Sequence, residues 1–276
     1  TLIIYGLFVK IVIADNASPI VDSIFSTYQD NAISVVLGTV LFGIQIYCDF
    51  MGYSLMAKGL ASLLGFSLSW NFNIPYWSSS PQEFWKRWHI TLSQWIRDYI
   101  YIPLGGSRCS KFRMMVNLLI AMALGGLWHG ASWNFVIWGV WYGVILIVHR
   151  ILVGFNLNRF LHLPHSIINI IAHVSTLIVV FIGWYFFRVS TAEVFSATWK
   201  SFSNWHWLPV HEVMLRAILF LSLPIFVVEY FQYRHHDPMP LNSVSQKWRM
   251  IILGVMLFLS IALLTKAKMS FIYFQF

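Results

Sequence analysis

Eight apolar segments dominate the sequence and constrain its fold more than any other feature. They are too long for strands, and their apolar runs are too continuous for the amphipathic helices of a soluble protein. Because lipid offers the backbone no hydrogen-bond partner, segments that cross or deeply enter a bilayer must be helices. The sequence therefore predicts an all-α, polytopic transmembrane bundle forming one membrane domain over residues 1–276. The segments are Leu2–Ala14, Ile33–Cys48, Leu55–Leu68, Met114–Trp128, Ala131–Val148, Ile167–Phe187, Met214–Val228 and Met250–Thr265.

Composition supports a membrane protein and argues against a nucleic-acid partner. Hydrophobic residues make up 58% of the chain and charged residues 10%, whereas soluble domains carry about 25% charged residues. The basic residues behind the net charge of +8 lie in short loops beside apolar segments and do not form one continuous basic stripe. This distribution is typical of topology signals and of contacts with anionic lipid headgroups, so membrane lipids are the expected surroundings.

The basic loops also predict an orientation. Arg113 precedes one apolar hairpin and Arg150 follows it, while further basic residues lie at 234–249. Placing these loops in the cytoplasm satisfies the positive-inside rule. Residue 1 is Thr, and no cleavable leader precedes the first apolar segment. We therefore expect the chain to be the C-terminal portion of a longer protein.

Residues 69–111 differ from the rest of the chain. Ser80, Pro81 and Glu83 form a helix-start pattern, with Ser at the N-cap, Pro at the first position and Glu closing a capping box. The spacing beyond Pro81 predicts one amphipathic helix to Tyr99, with Phe and Trp rings on one face. Such a helix lies in the membrane interface or re-enters the membrane.

His129 is the residue most indicative of chemistry. It lies between glycines, after an apolar run of 15 residues. That run covers about 22 Å as a helix, which is less than the roughly 30 Å hydrocarbon core. If both flanking loops are cytoplasmic, the hairpin tip lies within the membrane. An ionisable group there indicates a functional site, although a neutral histidine that hydrogen-bonds between helices is the alternative.

The other candidates have strong structural alternatives. His89 follows Trp88 on the amphipathic segment and could be a half-exposed interfacial histidine. Asp49 either orients a catalytic group or stabilises a helix kink at Gly52. Trp128 and Asn134 flank His129 and are expected to support it. The sequence contains two cysteines without metal-ligand spacing, and it lacks the serine elbow and the phosphate and dinucleotide loops of other enzymes. We expect no metal and no bound cofactor.

Four strings occur in a specific order and spacing: YCDFMGYS at 47–54, FWKRWH at 84–89, WIRDYIYIPLGG at 95–106 and GGLWHGA at 125–131. In this combination the chain resembles the membrane-bound O-acyltransferases, specifically the alginate O-acetyltransferase type. The pattern departs from that type at Leu55, where a second acidic residue is usual, and at Lys58, where an apolar residue is usual.

The resemblance implies a function and a site. It places the family's signature catalytic histidine at His129 and a second histidine important for activity at His89. It implies an O-acetyltransferase of the bacterial inner membrane that takes acetyl groups from acetyl-CoA. It also implies a periplasmic acyltransferase partner and the machinery of polysaccharide synthesis and export. We expect His129 to act as general base, with His89 orienting the donor or stabilising developing charge.

Two other functions fit parts of the sequence. A transporter or channel subunit could use an intramembrane histidine to relay protons, but such proteins usually show repeated half-helices and more acidic spans. An inactive fragment is the second alternative. The acyltransferase hypothesis makes a geometric prediction of its own. His89 and His129 should line one cavity walled by Trp and Phe, within about 10 Å of each other.

Overall fold

The computed structural model describes residues 1–27, 30–154 and 164–264, and every regular element in those ranges is helical. Two stretches are π-helical (Val9–Ala14 and Arg97–Tyr101), and two are short 3₁₀ turns (Pro75–Trp77 and Pro240–Asn242). The described part of the chain contains no strand, which confirms the all-α prediction. The α-helices are α1 (Leu2–Phe8), α2 (Asp15–Thr27), α3 (Ala32–Leu63), α4 (Pro81–Arg87), α5 (Ile90–Ile96), α6 (Lys111–Trp128), α7 (Trp133–Gly154), α8 (His165–Arg188), α9 (Ala192–Ser201), α10 (Pro209–His235) and α11 (Gln246–Ala262).

Six helical stretches of the described residues are long and apolar enough to cross a membrane, which confirms a polytopic membrane protein. The first joins α1, the π-helical stretch and α2 into one continuous helix. The stretches are Leu2–Thr27, Ala32–Leu63, Lys111–Trp128, Trp133–Gly154, His165–Arg188 and Pro209–His235.

The prediction of two separate helices over Ile33–Cys48 and Leu55–Leu68 is wrong, because α3 runs unbroken from Ala32 to Leu63, through the first segment and most of the second. The intervening Asp49 and Gly52 do not end the helix. Asp49 is paired with a lysine, and a Cβ on Gly52 would lie 2.8 Å from the Gly6 carbonyl oxygen of α1. Gly52 therefore serves a close helix contact rather than a turn. In the last predicted segment, Thr265 lies outside the described residues.

The chain divides into two compact units. The first unit comprises Thr1–Trp70 and Ala192–Phe276, and the second comprises Asn71–Thr191. Inside the first unit the π-helical stretch packs on α3, where Lys10 Nζ lies 2.6 Å from Asp15 and 2.5 Å from Asp49. These two ion pairs join the first two spans in the unit's interior.

The second unit is built on an antiparallel hairpin of α6 and α7. The two helices touch backbone to backbone, since a Cβ on Gly126 would lie 2.1 Å from Phe135 O and one on Gly139 would lie 2.3 Å from Met122 O. The glycine pair at 139 and 143 thus has the helix-packing role that its spacing predicts. The hairpin places Arg113 and Arg150 at its base and His129 at its tip.

The amphipathic segment is not the single helix that its periodicity predicts. Ser80 does cap α4, because its Oγ accepts a hydrogen bond of 3.1 Å from Glu83 N. The chain then breaks at His89, which has the left-handed φ of 41°, and resumes as α5. Periodicity cannot reveal such a residue, because it reports spacing rather than backbone conformation. Phe84 is buried as expected, but Trp95 is 49% exposed, so the predicted aromatic face is split.

Candidate active site

The end of α6 fixes the backbone of His129. Its N–H donates to Gly126 O over 3.0 Å, which completes the last helical turn. Gly130 follows with a φ of +156°, a value that favours glycine and lets the chain leave the helix. The imidazole therefore stands at the hairpin tip on a backbone that α6 and its contact with α7 hold in place.

Aromatic rings enclose the His129 imidazole. Its ring centre lies 5.0 Å from Trp138, 5.3 Å from Phe187 and 5.2 Å from Trp128, with ring planes nearly perpendicular in each case. Burial among these rings, with His89 contributing less, lowers the pKa of His129 to about 3. The imidazole is consequently neutral at physiological pH, which is the form that can accept a proton.

His129 lines a cavity of about 330 Å³ that runs along the hairpin. One face of α6 and one face of α7 form its length, and α7 rises about 18 Å between Trp138 and Arg150 at ~1.5 Å per residue. The cavity therefore extends from the hairpin tip towards its base. The lining residues are Gln82, Trp85, Lys86, Leu92, Ser93, Ile96, Arg97, Tyr101, Leu118, Ala121, Met122, Gly125, His129, Trp138, Leu146 and Arg150.

The charged side chains in this lining are all cationic. Lys86, Arg97 and Arg150 come from three different elements. Arg97 is paired with Asp98 over 2.7 Å, whereas Lys86 and Arg150 form no ion pair with any acidic residue in the described part of the chain. The cavity thus brings a neutral imidazole and three cationic side chains into one lining, and such a lining suits an anionic group.

His89 lines a different pocket. This pocket has a volume of about 350 Å³ and is formed with Thr91, Leu92, Trp95 and Trp128. Trp128 contacts both imidazoles, with its ring 5.9 Å from His89 and 5.2 Å from His129. The structure therefore differs from the prediction of one shared cavity, since the two histidines line separate pockets that have Leu92 in common.

Burial lowers the pKa of His89 to about 4, so this imidazole is also neutral. Its Nδ1 lies 3.4 Å from Asn71 Oδ1, and the same oxygen accepts a 2.7 Å hydrogen bond from Thr91 Oγ1. Ile90 N donates to Asn71 O over 2.9 Å. Asn71 thereby holds both sides of the left-handed turn.

Asn134 helps to position Phe187, one of the aromatic residues that contact His129. Its Nδ2 donates to Phe187 O over 3.0 Å and so ties α7 to the end of α8, where Phe187 contacts His129. Asp49 belongs to the first unit, and its 2.5 Å ion pair with Lys10 supports the structural interpretation of this residue.

Sequence reasoning missed several residues of the cavity, above all Trp138. A helical signal for it was present, since Asn134, Trp138 and Tyr142 recur every four residues on the helix that follows His129. Arg150 was identified from the sequence only as a topology signal. Phe187, in contrast, reaches His129 only through the packing of α8.

The family model described as membrane-bound O-acyltransferase matches residues 1–192, which contain the entire second unit and both histidines. This chain belongs to the membrane-bound O-acyltransferase family. The hairpin, the enclosed His129 and the cavity thus all lie within the part of the chain that carries the family's pattern.

The curated relatives of this chain carry names that refer to alginate and to peptidoglycan. A probable alginate O-acetylase of Azotobacter vinelandii is 39% identical over 246 residues, covering 87% of this chain and 48% of the relative. One from Pseudomonas putida is 35% identical, covering 98% and 59%. A peptidoglycan O-acetyltransferase of Helicobacter pylori is 39% identical, covering 68% and 35%. The chain spans about half the length of the alginate relatives it matches.

Proposed function

We propose that this chain carries the acyl-transfer site of a membrane O-acetyltransferase. The enzyme moves an acetyl group from a thioester donor to a hydroxyl of an extracellular polysaccharide or of a periplasmic partner protein, with His129 as general base. The observation that carries the proposal is the position of His129, a neutral imidazole in a cavity that Lys86, Arg97 and Arg150 also line.

The proposed chemistry needs one base at that position. As the acceptor oxygen bonds to the thioester carbonyl carbon, His129 takes the hydroxyl proton and the carbonyl electron pair moves to oxygen. When the tetrahedral intermediate collapses, the carbon–sulfur bond breaks and sulfur leaves with the bonding pair. The leaving thiolate then takes the proton from the imidazolium, so His129 ends the cycle neutral. General-base assistance of this kind contributes about 10²–10⁴-fold to rate.

Acetyl-CoA is the donor that the cavity favours. Its phosphates suit Lys86 and Arg150 in the lining, and its extended pantetheine arm suits a cavity that follows α7 over about 18 Å. With the hairpin base in the cytoplasm, as the positive-inside rule predicts, the Arg150 end of the cavity lies on the side where acetyl-CoA is available. His89 lines the other pocket, so we assign it to orienting the acceptor rather than the donor.

The names of the relatives support a setting for the reaction. Alginate and peptidoglycan are polymers outside the cytoplasmic membrane, so we place the enzyme in the bacterial inner membrane. A periplasmic acyltransferase and the polysaccharide synthesis and export machinery are its proposed partners. Family membership also favours acyl transfer over the transporter alternative.

The test replaces His129 by Ala in the full-length protein. We expect polymer O-acetylation, measured by NMR of the isolated polysaccharide, to fall by about 10²–10⁴-fold because the base is lost. Membrane insertion and protein amount should not change, since the backbone contact between α6 and α7 holds the hairpin together.

His173→Ala is the matched control. His173 belongs to α8 in the same unit but does not line the cavity, so acetylation should remain at the wild-type level. Acetylation by His129→Ala above one-tenth of wild type, at equal protein amount, would remove His129 from its role as base.

A further inference from the structure

Two tryptophans that line the His129 cavity carry buried hydrogen-bond donors without an acceptor. The indole Nε1 atoms of Trp85 and Trp138 are shut off from water, and neither has a hydrogen-bond partner among the described residues. Tryptophan has this single side-chain donor and usually pairs it when the ring is buried. Because an unpaired buried N–H costs stability, two of them in one cavity indicate an acceptor that arrives with the substrate.

Both indoles lie close to the proposed base. The ring centre of Trp138 lies 5.0 Å from that of His129 and 5.6 Å from that of Trp85, with the ring planes nearly perpendicular in both contacts. Trp138 belongs to α7, which forms the hairpin with the helix that carries His129, whereas Trp85 belongs to α4. The two donors therefore reach the same part of the cavity from different helices.

Packing fixes the two indole rings. Trp85 contacts Tyr142 at 4.9 Å, and Trp138 contacts Tyr142 and Phe187 at 5.4 Å each. The Tyr142 hydroxyl donates to Val180 O over 3.1 Å, so the ring that both indoles touch is itself anchored to α8. Donors that are held in place before the reaction stabilise developing charge most strongly, because they need no reorganisation when the charge appears.

The proposed reaction creates an acceptor for such donors. When the acceptor hydroxyl attacks the thioester, the carbonyl electron pair moves to oxygen, which is negatively charged in the tetrahedral intermediate. His129 is engaged with the hydroxyl proton at that stage, so the charged oxygen needs separate donors. A hydrogen bond to a charged oxygen is roughly twice as strong as one to a neutral carbonyl. It therefore accelerates transfer rather than only tightening the binding of the donor.

The cations of the cavity are less suited to this oxygen. Arg150 lies about 18 Å along α7 from Trp138, and Arg97 is engaged in an ion pair. Lys86 follows Trp85 directly on α4, so it leaves the helix about 100° away from the direction of Trp85. The indoles are therefore better placed beside the base than the cations are.

We infer that the indole N–H groups of Trp85 and Trp138 form the oxyanion hole of the transfer site and donate to the thioester carbonyl oxygen as it becomes charged. The inference rests on the proposed function and deepens it. It gives two tryptophans of the cavity a catalytic role that goes beyond enclosing His129.

The test removes the N–H and keeps the ring. In the full-length protein, Trp85 or Trp138 is replaced by benzothienylalanine through stop-codon suppression, so that sulfur takes the place of the indole nitrogen at nearly the same size and shape. Each replacement should lower kcat for acetyl transfer by about 10²-fold, the scale of one lost oxyanion donor. The KM for acetyl-CoA should not change, because the lost bond is strong only in the transition state. Trp85→Phe and Trp138→Phe, which also lack the N–H, should show the same separation of kcat from KM.

Trp184 is the matched control. Its Nε1 atom is also buried without a hydrogen-bond partner, and its ring centre lies 6.3 Å from that of Trp138. It belongs to the same unit but does not line the cavity. Benzothienylalanine at this position should therefore leave kcat at the wild-type level.

Three results would overturn the inference. They are an unchanged kcat in both cavity variants, an equal loss of kcat in the Trp184 variant, and a raised KM for acetyl-CoA with unchanged kcat. A loss at only one of the two cavity positions would remove the other tryptophan from the oxyanion hole. Failure of the proposed function looks different, because His129→Ala would then transfer acetyl groups normally, whatever residues stand at positions 85 and 138.

Discussion

The contact between α6 and α7 at Gly126 offers a sharp test of how the hairpin positions the base. A Cβ built on Gly126 lies 2.1 Å from Phe135 O and 3.0 Å from Phe135 C. Both atoms are backbone, so no side chain can swing aside. The two helices must separate by about 1 Å to restore an ordinary contact, and overpacking of this kind costs roughly 1–3 kcal/mol.

Two effects of Gly126→Ala oppose each other. Alanine is favoured over glycine within a helix by about 1 kcal/mol, so the net loss of stability should be between zero and about 2 kcal/mol. The loss of activity should be larger. His129 N donates to Gly126 O over 3.0 Å, so the base moves with the displaced helix. A misplacement of about 1 Å can cost about 100-fold in rate.

The assay pairs thermal unfolding of the detergent-purified full-length protein with initial rates of acetyl transfer. Gly254→Ala in α11 is the control, because a Cβ there meets no described atom within 4 Å. That variant should be as stable as wild type or slightly more so, with unchanged kcat. The reasoning is refuted if Gly126→Ala keeps full activity and melts no lower than Gly254→Ala.

Two further predictions concern charge. Between about pH 5 and pH 8 the initial rate should stay level, because burial, together with His89, lowers the pKa of His129 to about 3 and the base is lost only as pH falls towards that value. An inflection near the ordinary histidine value of about 6.5 would contradict this. Lys86→Ala and Arg150→Ala should each raise the KM for acetyl-CoA about five- to tenfold through loss of a charged contact, with kcat unchanged. Lys111 does not line the cavity, so Lys111→Ala should leave KM unchanged, and an equal effect in all three variants would argue against phosphate binding by Lys86 and Arg150.

Features that depend on local pattern were predictable from the sequence. The spans follow from uninterrupted apolar runs, the α4 cap from Ser80, and the hairpin from the glycines on each side of His129. The packing of Gly139 and Gly143 also follows, because small residues four apart form a flat face on any helix.

Features that depend on partners distant in sequence were not predictable. Asp49 appeared to interrupt an apolar run, yet α3 continues because Lys10, far away in sequence, neutralises it. The left-handed turn at His89 depends on Asn71, and it changes which pocket the histidine enters. For the same reason the contact of Phe187 with His129 could not be predicted, because it depends on how α8 packs.

The ion pairs of Lys10 bear on how the chain enters the membrane. A lysine or an aspartate at the centre of a lone span costs roughly 2.5–3.5 kcal/mol during insertion. Lys10 has a partner within its own span in Asp15, but Asp49 gains its partner only when the first span lies against α3. Insertion of α3 is therefore most favourable when it leaves the translocon already paired with the preceding helix, so biogenesis of this region should proceed by helical hairpins rather than by single spans.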